Sequence, residues 1–151
     1  MTSHRLWTTT ALAALTTFAL SACGHTVAGT TSEPAPVQLA PVAGSDLKTV
    51  TLTDQARRRL GITTSPVASV PAGGATPALA IPYSAIVYDE NGGTWAFVSH
   101  QPLTYVREPV SVEHIAGETA VLSRGPAAGT TVVTVGSAEL LGAEYQIGGE
   151  G

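Results

Sequence analysis

Few side chains in this sequence have the types and spacing that chemistry requires. Cys23 is the only cysteine among the 151 residues. The chain can therefore build neither an internal disulfide nor a cysteine-based metal site. Ser84 stands in Pro82-Tyr83-Ser84-Ala85, which is not the Gly-x-Ser-x-Gly elbow of a serine nucleophile. Gly136-Ser137-Ala138 lacks the second glycine as well. His100 and His114 have no spacing that would make either one the base of a nucleophile. Glu113 and His114 are neighbours, so on a regular strand they point to opposite faces and cannot chelate one ion. No catalytic residue, metal site or cofactor is expected, and the chain reads as non-enzymatic. One cluster remains: Arg57, Arg58 and Arg59, the strongest basic run in the protein. Such a run is ordinarily a solvated helix face; its functional alternative is contact with anionic lipid or an acidic partner.

The elements that must position these residues begin with the N-terminus. A polar start carrying His4 and Arg5 leads into an apolar stretch from Leu6 to Leu20, diluted by threonines. A membrane span needs about 20 apolar residues, so this length suits a signal-peptide core instead. The stretch ends in Leu20-Ser21-Ala22-Cys23, which resembles the lipobox of bacterial lipoproteins. That resemblance implies a signal peptide over residues 1–22 and a diacylglycerol on the Cys23 sulfur. The protein would then sit on the extracytoplasmic face of the cell membrane, with membrane lipid as its first partner. Residues 24–47, with Pro34, Pro36 and Pro41 among small polar residues, read with Cys23 as a flexible tether. A coil of that length has a reach of roughly 27 Å.

After the signal the chain carries six basic against eleven acidic side chains, a balance that argues against a nucleic-acid partner. Ala, Gly, Thr and Val dominate, which favours a β-rich domain. A folded domain is expected over residues 48–147, followed by a tail at 148–151. Val50 and Leu52 alternate with threonines as in a half-buried strand. Thr53 is placed to cap a short helix over Asp54–Leu60, with Ala56 and Leu60 inward and Gly61 just past its end. Strands are then expected over Ile62–Val70, Leu79–Asp89, Thr94–Ser99, Tyr105–Ile115, Thr119–Ser123 and Thr130–Val135. Asn91-Gly92 reads as a tight hairpin turn, and Ser137–Leu141 as a helical turn. Trp95 and Phe97 share one strand face, which is expected to be core. The fold class is mainly β, a small barrel or sandwich with one short helix.

The stretch Ile81–Val98, IPYSAIVYDENGGTWAFV, resembles the C-terminal part of periplasmic adaptor proteins, also called membrane fusion proteins, of resistance-nodulation-division (RND) and related efflux systems. Tyr105–Val112, Gly125–Val133, Gly136–Leu141 and Leu52–Val67 resemble further segments of that family in the family's order. The resemblance implies the family's membrane-proximal β-domain and a transporter permease, of the RND or ABC type, as partner. Only Ala68–Ala80 lies where a full adaptor carries its lipoyl-like domain and helical hairpin, so the chain would be a truncated form. Some adaptors of heavy-metal pumps bind metal through N-terminal methionines; Met1 is the only methionine here, and that activity is not carried over. The expected function is a lipid-anchored binding module associated with a membrane transporter. The rivals are a ligand- or peptide-binding envelope lipoprotein without such a partner, and a structural remnant.

Overall fold

A computed structural model describes residues 34–71 and 77–145. The expected signal peptide, Cys23, the early part of the tether and the tail lie outside the described residues. In chain order the elements are β1 (Val37–Pro41), β2 (Lys48–Leu52), α1 (Asp54–Arg59), β3 (Thr63–Pro66), β4 (Ala68–Val70) and β5 (Ala78–Pro82). A 3-10 turn over Tyr83–Ala85 leads to β6 (Ile86–Tyr88), β7 (Thr94–Gln101), β8 (Thr104–Pro109) and β9 (Ser111–Ala116). The chain ends through β10 (Thr119–Arg124), β11 (Thr131–Val135) and α2 (Ser137–Tyr145).

Strand β7 explains the layering. Ala96 and Val98 point to one side and Trp95 and Phe97 to the other, and each side has its own apolar cluster. A strand with apolar residues at every position must be covered on both faces. One face packs on a four-stranded sheet in the order β4-β5-β10-β9, through Ile81, Ala120 and Leu122. The other face carries the helices, through Ala56 of α1 and Leu140 of α2. The central sheet runs β1-β2-β8-β7-β11-β3, with β6 beside β7. The domain is thus a mainly β sandwich with a helical third layer.

Four proline-containing segments carry the chain between the sheets, the last being residues 125–130 with Pro126 between β10 and β11. Pro66-Val67 joins β3 to β4, Pro109-Val110 joins β8 to β9, and Pro82 ends β5 before the turn to β6. Proline cannot donate to a ladder, so strands break where it stands. The freed backbone groups find other partners: Val67 N–H donates to Thr130 at 2.8 Å and Val110 N–H to Thr94 at 3.0 Å. The expected continuous strands at Ile62–Val70, Leu79–Asp89 and Tyr105–Ile115 are each divided at these corners.

Helix α1 forms as its caps predict. Thr53 Oγ1 accepts the Ala56 N–H at 3.2 Å. Gly61, at φ +64°, lets its own N–H reach the Arg58 carbonyl and the Ile62 N–H reach that of Arg57. That is a Schellman ending, and Ile62 then joins the same core cluster as Ala56.

Three expectations are corrected. Strand β1 lies inside the segment read as tether, because Val37 and Leu39 alternate and pack on the helix-side core while the chain pairs with β2. The domain therefore begins before residue 48. The connection after β6 spans residues 89–93, and only Gly92 of the Asn91-Gly92 pair has positive φ. Finally, Ser137 opens a second helix of nine residues, not a single turn. Among the described residues no helix is long and apolar enough to cross a membrane.

Candidate functional site

Alternation along β8 sends Tyr105 and Arg107 to the helix-covered side, with Arg107 opposite Phe97 of β7. An arginine at a core position requires a counter-charge, since an unpaired buried charge costs several kcal/mol. Helix α2 supplies it: Ser137, Leu140 and Glu144 are its buried residues, and their spacing places all three on one stripe. Glu144 Oε1 accepts from Arg107 Nε at 3.1 Å and from the Lys48 backbone N–H at 3.2 Å. Its Oε2 lies 2.9 Å from the same Nε in ionic contact without an aligned hydrogen bond. Both partners are buried, at 9% and 2% side-chain exposure. The pair ties α2, β8 and the start of β2 together.

The guanidinium also lies over two rings, 4.6 Å from the Trp95 centroid and 5.3 Å from that of Tyr145. Such contacts add about 0.5–2 kcal/mol each, more where water is excluded. Arg107 Nη1 is buried without a hydrogen-bond partner among the described residues. Trp95 is held in turn by Asp89, whose Oδ2 accepts the indole N–H at 2.8 Å. Asp89 Oδ1 accepts the backbone N–H groups of Gly93 at 2.7 Å and Asn91 at 2.9 Å. Gly93 is required by this closeness, because a Cβ there would meet Asp89 Oδ2 at 2.7 Å. The Trp95 hydrogen bond, then that of Gly93, hold the Asp89 carboxyl below its ordinary pKa.

These groups border a hollow of about 520 Å³, lined by Asp46, Asp89, Glu90, Trp95, Arg107 and Tyr145 among others. Its size is that of small-molecule sites. Arg107, the one cation among the described lining residues, is paired with the buried Glu144, so the rim is acidic and the walls are aromatic. Ser45 also lines the hollow, with its hydroxyl donating to the Val42 carbonyl and accepting the Leu47 N–H, both at 3.3 Å. The arrangement can receive a polar or aromatic group.

The residues singled out from sequence fall elsewhere. Cys23 lies outside the described residues. Arg57, Arg58 and Arg59 occupy successive positions of α1, about 100° apart. Arg57 lines one hollow and Arg59 another, while Arg58 is exposed. The helix does not gather the three into one patch. His100 pairs with Glu108 at 3.0 Å on the surface. His114 Nδ1 comes within 4.0 Å of Glu113, closer than alternation implies. The ladder register skips Glu113, a bulge that breaks the alternation. Among the described residues no group of three or more His, Cys, Asp or Glu could hold a metal ion. Phe97 is wholly buried, whereas Trp95 is half-buried against Arg107. The Arg107–Glu144 pair was not anticipated. Its available signal was the shared phase of Arg107 with Tyr105, and of Glu144 with Leu140.

No protein-family model, curated protein or solved structure matches the chain.

Proposed function

We propose that this protein is a lipid-anchored, extracytoplasmic binding module of the efflux-adaptor type, associating with a transporter component in the membrane. The observation that carries the reading is the pairing of β3 with β11, from Thr131 against Pro66 to Val135 against Thr63. These strands come from Leu52–Val67 and Gly125–Val133, the segments resembling the adaptor's opening and closing parts. They close into one sheet although only Ala68–Ala80 joins the opening segment to Ile81. A truncated adaptor must do this to remain folded. Lacking a helical hairpin among its described residues, the domain has no means there to reach a distant channel, so its partner belongs near the anchor.

Crosslinking of the full-length protein in native membranes tests the reading. An integral transporter component should be trapped with wild-type protein, and Cys23→Ser should move the protein out of the membrane fraction. Recovery of only soluble envelope proteins overturns the transporter association. A second reading, an envelope lipoprotein that binds a small ligand, is favoured by the acid-rimmed hollow beside Arg107.

A further inference from the structure

Two residues before Arg107 on β8, Tyr105 borders a different hollow, of about 360 Å³, together with Arg57, Ile62, Thr64, Leu103 and Thr131. The Tyr105 residue is 3% exposed and its ring belongs to the helix-side core. Tyr105 lines the hollow, and among the described residues its hydroxyl makes no hydrogen bond. Burial raises its pKa, against the nearby Arg57 charge, so the phenol remains a neutral donor. The hydroxyl is not one of the wholly buried, unpaired polar atoms, so it stays open to water and to a ligand.

Arg57 stands beside it as a second donor. Its ion contact with Asp54 is 4.0 Å long, beyond hydrogen-bond distance, and both side chains are substantially exposed, at 39% and 67%. The guanidinium fork is therefore open to a planar acceptor. Thr64 and Thr131, on the neighbouring strands β3 and β11, add hydroxyls. Ile62 and Leu103 supply an apolar wall. Leu103 holds φ 62°, a conformation that a turn normally assigns to glycine or asparagine. A leucine kept there against backbone strain gives the hollow a side of its wall that glycine would not.

We propose that this hollow binds a carboxylate bearing a short apolar substituent. Arg57 and the Tyr105 hydroxyl donate to the two carboxylate oxygens, and Ile62 and Leu103 cover the apolar part. Asp54 lines the same hollow beside its single cation, which suits a monoanion better than a doubly charged phosphate. The site stands independently of the transporter reading, since either can fail without the other.

Calorimetric titration of the full-length protein in detergent tests it, with three probes: 4-methylvalerate, N-acetyl-alanyl-leucine, and the C-terminal amide of that dipeptide. At least one acid should bind, and the amide should bind about tenfold more weakly than its acid. Arg57→Gln and Tyr105→Phe should each weaken acid binding about tenfold, and Arg58→Gln should leave it unchanged. Circular dichroism establishes that the variants are folded; Arg57 is partly exposed, so Arg57→Gln carries the test if Tyr105→Phe unfolds. Tighter binding of the dipeptide acid assigns a peptide C-terminus, and equal binding assigns a small organic acid. The proposal is overturned if neither acid binds, if acid and amide bind alike, if Arg57→Gln is without effect, or if inorganic phosphate competes as well as the acids.

Discussion

Arg107 and Arg57 flank the same face of the central sheet, one on β8 and one on α1, and they meet opposite fates. Arg107 is buried, held 2.9 Å from a buried carboxylate and close over the rings of Trp95 and Tyr145. Arg57 is partly exposed, and its nearest carboxylate is 4.0 Å away. The first charge is committed within the fold, and its hollow presents an acidic rim to the outside. The second remains open beside an unpartnered phenol. The difference shows that the environment, not the residue type, decides whether an arginine acts as a structural tie or as a receptor for ligand. Removing a charge from water is tolerated only when its partner is built in, and a built-in partner leaves little for a ligand to gain.

The largest effect is expected from Glu144→Leu. Arg107 is then buried without a counter-ion, and the domain should lose about 3–5 kcal/mol of stability, read from urea denaturation midpoints. Adding Arg107→Met should recover most of that loss, because replacing both members of a buried pair by apolar residues is often neutral or better. A loss below about 1 kcal/mol in the single variant would show that the pair is not the tie described.

Asp89 sharpens the same side of the comparison through pH. Its folded pKa lies below its unfolded value, chiefly through the Trp95 indole, so its contribution is fully present above the unfolded pKa. That contribution disappears as pH falls through the depressed folded value. Wild-type stability should thus decline more steeply than that of Asp89→Asn from the usual aspartate range downwards. Parallel denaturation curves for the two proteins across acidic pH would refute the assignment.

The smallest effect is expected at Arg57. Arg57→Gln should change stability by no more than about 0.5 kcal/mol, since an exposed, long ion pair contributes little. A large loss would mean that Arg57, like Arg107, is a structural tie.

Much of the β architecture was legible where a local signal exists. The Thr53 cap, Gly61 and the alternation of Trp95 through Val98 each act within a few residues of themselves. The short helix, the β9–β10 hairpin around Gly117 and the final strand follow from such signals. The strand breaks at Pro66, Pro82 and Pro109 were harder, because proline is also tolerated at strand edges. Only the second sheet shows that these are corners. Strand β1 was hidden for a similar reason: Val37 and Leu39 are two apolar residues among prolines, and their worth depends on β2 lying alongside.

Residue types and near neighbours alone set the β-rich class, the capping of α1, the absence of any disulfide within one chain, and the run of three arginines. Each of these depends on residue type or on neighbours one turn or one hairpin away. Tertiary structure decided which charges matter. Glu144 reads as a polar residue that interrupts a helical apolar pattern until α2 docks and carries it 37 positions back along the chain to Arg107. Arg57, Arg58 and Arg59 read alike until the helix turns them apart and only Arg57 lines the hollow that Tyr105 borders. Burial and pairing are properties of distant segments brought together, so no local pattern could assign them.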